Sequence, residues 1–165
     1  MLVRPIREED SQAYLDLCHA LDRETRFMML EPGERTTTLE EQRQRIRALQ
    51  PGQLILVAEE DQRLVGYLGT FSGTFRRNRH SAYIVVGIAQ AFTGRGIGRK
   101  LFIKMEEWAR QQEIHRLELT VMIHNERAVR LYQGLGFAVE GVKKDALKCD
   151  GRYVDEFHMA KILDL

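Results

Sequence analysis

The run Gly94-Arg95-Gly96-Ile97-Gly98 separates two stretches of opposite periodicity, and no other feature constrains the chain as tightly. Before it, Ser81 to Ala89 is rich in Ile and Val and reads as a strand. After it, Leu101, Phe102, Met105, Trp108 and Ala109 recur at three and four residues, the pattern of an amphipathic helix from about Gly96 to Gln112. A strand must therefore become a helix within a few residues, through three alternating glycines. Such a turn gathers successive backbone N–H groups at a helix start, whose dipole favours negative charge. Arg99 and Lys100 follow at once. The expectation is an anion site for a phosphorylated ligand.

Two common phosphate binders do not fit. A Rossmann site carries G-x-G-x-x-G with an acidic residue about 20 positions later. Here the spacing is G-x-G-x-G, and the next strand does not open a doubly wound unit. The P-loop pattern G-x-x-x-x-G-K-[ST] is absent.

The remaining segments frame this turn. Leu2 to Arg7 reads as a short strand with Pro5 at an edge. Glu8-Glu9-Asp10 leads into a helix carrying Tyr14, Leu15, Leu17, Cys18 and Leu21 at helical spacings. Thr38-Leu39-Glu40-Glu41 offers a capping box for a helix to about Leu49, stopped by Pro51-Gly52. Leu54 to Glu59 and Arg63 to Phe71 form a strand pair about the Glu60-Asp61-Gln62 turn. In Arg116 to Ile123, Leu117, Leu119, Val121 and Ile123 share one face. Asn125 can cap a short helix from Glu126 to Leu135 that ends at Gly136. Phe137 to Val142 and Tyr153 to Ile162 close the chain as strands, hairpinned across Cys149-Asp150-Gly151-Arg152. One parallel pairing is expected, where the helix after Gly98 crosses from the Ser81–Ala89 strand to the Arg116–Ile123 strand.

Composition narrows the class. At 165 residues, with 44% hydrophobic and 30% charged, a single ordinary globular domain is expected over residues 1–165. The net charge of +1 gives no general reason to expect nucleic acid or an acidic membrane as partner. No apolar run approaches the roughly 20 residues of a membrane span. Cys18 and Cys149 have no metal-like spacing and suit free thiols in a reducing compartment, so a cytoplasmic protein without metal is expected.

Taken together, Val86-Gly87-Ile88, the glycine turn, and Asn125-Glu126-Arg127-Ala128-Val129-Arg130-Leu131-Tyr132 through Gly136-Phe137 resemble the GCN5-related N-acetyltransferase (GNAT) family. The resemblance runs from Ile6-Arg7 to the Asp155-Glu156-Phe157-His158-Met159 strand. The pattern Gly141…Asp150-Gly151-Arg152-Tyr153-Val154-Asp155…Met159 is similar to the branch holding ribosomal-protein and polyamine acetyltransferases. It implies an α+β fold: a mixed, mostly antiparallel sheet of six to seven strands, splayed between the fourth and fifth, with about four helices. The implied activity moves an acetyl group from acetyl-CoA to a primary amine by direct attack in a ternary complex. A non-catalytic acyl-CoA-binding module on the same fold is the rival reading.

The resemblance also implies roles. The backbone of Gly94, Arg95, Gly96, Ile97, Gly98 and Arg99 would bind the pyrophosphate. Val86, Gly87 and Ile88 would pair with the pantetheine arm, and the Ile88 N–H would stabilise the oxyanion. Asn125 would contact CoA besides capping its helix. Tyr132 would protonate the departing thiolate as general acid. Thr93 departs from the family's usual Gln or Arg, and Ala82 and Thr120 stand where members carry a glutamate base. Glu118, His80 and Tyr83 are the nearby substitutes, and no base is assigned. The acceptor would be a small-molecule amine, a polyamine or a protein N-terminus. Glu31, Glu34, Asp150, Asp155 and Glu156 are candidates to attract a cation. The apolar C-terminal strands are compatible with a homodimer.

Overall fold

The structure is a computed structural model and describes residues 1–164. Its strands are β1 (Leu2–Pro5), β2 (Gln53–Glu60), β3 (Arg63–Ser72), β4 (Ser81–Ile88), β5 (Arg116–Met122), β6 (Ala138–Cys149) and β7 (Arg152–Ile162). Its helices are α1 (Ser11–Glu24), α2 (Leu39–Arg47), α3 (Ile97–Gln111) and α4 (Glu126–Gly134). The seven strands form one sheet in the order β1-β2-β3-β4-β5-β7-β6. Every neighbouring pair is antiparallel except β4 and β5. The expected fold class is the one observed.

The two sheet faces are covered separately. Ile97, Leu101, Phe102, Met105 and Ala109 of α3 pack with Tyr132 of α4 over Ala82, Ile84, Leu117, Leu119 and Val121. Burying a side chain such as Phe102 stabilises the fold by about 1.5–3 kcal/mol. On the other face, Tyr14, Leu17, Cys18 and Leu21 of α1 and Ile46 of α2 pack over Ile55, Val57 and Tyr67. The Thr38 hydroxyl accepts the Glu41 N–H while the Glu41 carboxylate accepts the Thr38 N–H, the expected capping box of α2. The segment between α1 and α2 is anchored by Arg35, whose Nε donates to the buried Asp22 carboxylate at 2.6 Å.

Three boundaries differ from expectation. β1 ends at Pro5, although the Ile6 N–H still reaches Ile55 O at 2.8 Å. α2 stops at Arg47 instead of running to Leu49. β6 continues to Cys149, well beyond the expected Val142. Its register against β7 shifts twice, and Asp145 has φ 49°. A bulged, exposed edge strand shows no alternation, so its second half is invisible to a period-two reading.

Candidate active site

The centre of the site is a gap in the sheet. β4 and β5 pair only at Ser81↔Arg116, Ala82↔Leu117 and Tyr83↔Glu118, then part. β5 is held away over its whole length by β7, from Arg116↔Ile162 to Met122↔Glu156. The Ala89 N–H donates to Val65 O at 2.9 Å, so Ala89 faces β3. Strand alternation then aims the N–H and C=O groups of Ile88 and Val86 the other way, into the gap. Their side chains pack on the α3 face, so only their backbone meets the gap. At the narrow end, the hydroxyls of Tyr83 and Thr120 hydrogen-bond at 2.7 Å and bridge the two strands.

The glycine turn lies just beyond β4. Gly94 and Gly96 have φ of +77° and +76°, the left-handed region that L side chains avoid. Nothing lies within 4 Å of a Cβ built on either, so the turn is open on its outer side. Gly98 is required for a different reason: a Cβ there would stand 2.9 Å from Leu131 Cδ2 and 3.2 Å from Ile88 Cδ1. The third glycine therefore seats the start of α3 against both β4 and α4. The Lys100 N–H reaches Gly96 O at 3.1 Å, the first intrahelical bond of α3. The N–H groups of Ile97, Gly98 and Arg99 have no acceptor among the described residues. Three free donors at an open helix start suit a phosphate.

The side chains nearby are partly committed. Arg95 lies over the Phe92 ring at 4.9 Å and pairs with Glu60 at 3.0 Å, so its backbone alone faces the turn. The Thr93 hydroxyl donates to Gln90 O at 2.9 Å and closes the short 3-10 turn Gln90–Phe92.

On α4, Asn125 Oδ1 accepts the Ala128 N–H at 3.4 Å, the expected cap at long range. Tyr132 is buried beside Phe102 and Phe137, at centroid distances of 5.6 and 6.2 Å. Burial pushes its phenol well above the ordinary value, and Tyr83 adds to the shift. No hydrogen bond contributes to it. Tyr132 is thus a proton-bearing phenol with an uncommitted hydroxyl.

The substitutes considered for a base are engaged with neighbours. Glu118 accepts from Arg116 Nε at 2.9 Å and lies 3.5 Å from His158 Nε2, which makes no hydrogen bond. His80 contributes its backbone carbonyl to the His115 and Arg116 N–H groups. Four of the acidic residues considered for cation attraction are engaged elsewhere. Asp150 pairs with Arg26, Asp155 with Lys144 at 3.1 Å, Glu156 with Lys143 at 3.7 Å, and Glu34 accepts the Glu31 N–H at 2.7 Å.

Sequence reasoning did not single out the cavity on the α1 face of the gap. It is about 420 Å³ and is lined by Arg26, His124, Cys149, Asp150, Arg152 and Val154. The Phe27 ring lies 5.2 Å from that of His124. Met28 Cε would be 3.6 Å from a Cβ on Gly87, which places the segment after α1 over the end of β4. No periodicity marks these residues; the chain brings them together by folding that segment across the gap.

The sequence profile of the acetyltransferase (GNAT) family matches residues 15–137. The chain belongs to this family. Over 116 residues it is 33% identical to the L-amino acid N-acetyltransferase AaaT of Escherichia coli, covering 68% of this chain and 70% of AaaT. A GNAT-family acetyltransferase from Streptococcus pneumoniae superposes with a TM-score of 0.94 at 27% identity, over 98% of this chain and 99% of that one. YncA of Salmonella typhimurium, solved with its cofactor acetyl-CoA, superposes with a TM-score of 0.88 at 25% identity, over 100% of this chain and 95% of that one. This GNAT protein is an N-acetyltransferase with acetyl-CoA as its donor. The gap, the open turn and the free α3 donors are the features that fit such a donor. Among the described residues no cluster of His, Cys, Asp or Glu could hold a metal ion, and no helix is long and apolar enough to cross a membrane.

Proposed function

We propose that this GNAT enzyme acetylates a primary amine by direct attack, with donor and acceptor bound together on opposite faces of the β4–β5 gap. The single observation that carries the reading is the row of free backbone groups at Val86 and Ile88, continuous with the open glycine turn. An extended chain of amides can pair with that strand edge as if it were the missing strand. The N–H groups of Ile97, Gly98 and Arg99 then receive the diphosphate, with Gly94, Arg95 and Gly96 shaping the turn. Acetyl-CoA supplies the activated acyl group.

The protein's own groups supply the rest. The Ile88 N–H, or that of Val86 one step deeper, donates to the thioester oxygen as negative charge grows there. A fixed donor needs no reorganisation at the moment of attack, which is why backbone suits the task. Tyr132 gives its proton to the departing sulfur. Asn125, at the start of α4, borders the same space and contacts the CoA arm. The acceptor enters from the α1 face, through the cavity between the segment after α1 and the β6–β7 hairpin. AaaT is named for L-amino acids, so an α-amine is the first acceptor class to test.

The experiment is thiol release from acetyl-CoA with a panel of amines, amino acids and peptide N-termini. Saturable release with at least one acceptor, and intersecting initial-rate patterns, are expected. A parallel, ping-pong pattern would refute direct attack.

A further inference from the structure

We propose that the cavity on the α1 face reads a carboxylate on the acceptor, so that the enzyme takes free amino acids in preference to polyamines or protein N-termini. The inference rests on the acetyltransferase reading above and names the acceptor class of that same site.

The argument is one of charge. The lining holds two arginines, Arg26 and Arg152, one histidine, His124, and one carboxylate, Asp150. Asp150 pairs with Arg26 at the exposed rim of the cavity, which balances the one carboxylate against one of the two guanidinium groups. Arg152 enters no ion pair or side-chain hydrogen bond among the described residues, although its strand partner is Cys149 and the Asp150-Gly151 turn precedes it. The cavity therefore carries an uncompensated guanidinium, a planar fork suited to a carboxylate.

Each acceptor class meets this lining differently. A polyamine brings further cations to a wall with no free carboxylate. A protein N-terminus brings a neutral peptide amide where the anion should be and gives Arg152 no ionic partner. A free amino acid brings an amine to direct toward the gap and an anion for Arg152. The volume of about 420 Å³ is ample for one. The position fits too, because Met28 lies over Gly87 only two residues after Arg26.

The test compares kcat/KM for free L-amino acids, each against its own carboxamide, with spermidine alongside. An amino-acid amide has the less basic amine and so holds more neutral nucleophile at pH 7. A preference for the acid cannot then come from the amine itself. Wild type should favour at least one acid over its amide by about tenfold or more. Arg152→Gln should remove that preference by raising KM for the acid about tenfold, with kcat and the amide's parameters little changed. Arg152→Lys should restore part of it. An acid-to-amide ratio that is the same in wild type and Arg152→Gln would overturn the proposal, as would a wild-type preference for spermidine or amides. Those outcomes leave the acetyltransferase reading intact. Absence of thiol release with every acceptor would remove both.

Discussion

Replacing Tyr132 by Phe removes one oxygen and nothing else, and the structure fixes what should follow. The ring is 7% exposed and packs against Phe102 and Phe137. Its hydroxyl makes no hydrogen bond that contributes to its titration, so the substitution breaks none. Folding stability should stay within about 1 kcal/mol of wild type, because deleting an unpaired hydroxyl does not orphan a partner. Turnover should fall much further. General acid catalysis contributes about 10²–10⁴-fold. The upward shift of the phenol argues for the low end: it keeps the proton bound at neutral pH but weakens the drive to hand it to a thiolate. A loss of about 10²-fold in kcat corresponds to about 2.7 kcal/mol of barrier. Linkage adds a second signature. A phenol that titrates higher in the native state than its ordinary value of 10 binds more protons folded than unfolded above that pH. Its contribution to stability is complete below pH 10 and is lost as pH rises beyond it. Tyr132→Phe should flatten that alkaline loss. The assay is thiol release under saturating acceptor, with donor affinity followed separately by thermal shift. Turnover within threefold of wild type, at unchanged donor affinity, would refute the assignment of Tyr132 as acid.

Four further outcomes are expected. Gly96→Asp should abolish the thermal stabilisation given by CoA, which for saturation at 100 times Kd amounts to about 2.7 kcal/mol; full stabilisation would place the diphosphate elsewhere. Gly96→Ala meets no atom within 4 Å but is held at φ +76°, so it should cost about 1–2 kcal/mol by backbone conformation alone, measured by urea unfolding. Gly98→Val should cost about 1–3 kcal/mol through crowding of Leu131 and Ile88 and should also weaken donor binding; an unchanged midpoint would mean that the start of α3 can shift freely. Arg4 pairs with Asp10 at 2.7 Å and with Glu59 at 2.7 Å, and its hydrogen bond holds the Asp10 carboxyl below the ordinary value of 3.8. That stabilisation is present above pH 3.8 and lost as pH falls below it, so Arg4→Met should be less stable than wild type at pH 7, with the gap narrowing near pH 3.

Much of the local geometry proposed for the donor was legible because it depends on residues close in sequence. A strand, three glycines and an amphipathic helix state their own geometry, and Asn125 and Tyr132 lie about two helical turns apart on one short helix. Even there, the glycines were read as one device, whereas Gly94 and Gly96 answer to backbone conformation and Gly98 to packing. The cavity proposed for the acceptor was not legible. Arg26 and His124 lie in no motif, and the C-terminal pattern that contains Arg152 does not say what it faces; the three meet only because the chain after α1 crosses the gap. The acidic residues that composition offered as cation attractors are mostly bound to neighbouring cations or amides, and only the fold could reveal those partners. The second half of β6 was missed for a similar reason. Most of its residues are exposed, and the half-buried Ala146, Leu147 and Cys149 do not alternate, so pairing with β7 leaves no period-two trace in their hydrophobicity.

The gap itself is an energetic choice. Sheet strands normally pair along their length, and a polar backbone group left unpaired away from water costs about 1–3 kcal/mol. Here β4 stops pairing with β5 after three residues while β5 keeps seven partners on β7. Closing the gap would require β5 to leave β7, or the start of α3 to leave its seat on Ile88 and Leu131. Either change would give up strand pairing or packed side chains in exchange for the hydrogen bonds of a closed ladder. The opening is therefore held by packing on either side of it. The Tyr83–Thr120 hydroxyl bond bridges the two strands where their pairing ends. A ligand that carries its own row of amides recovers the missing ladder at no structural cost to the protein. This gives a physical reason for a donor tail built of consecutive amides to match this strand edge better than a plain alkyl chain would.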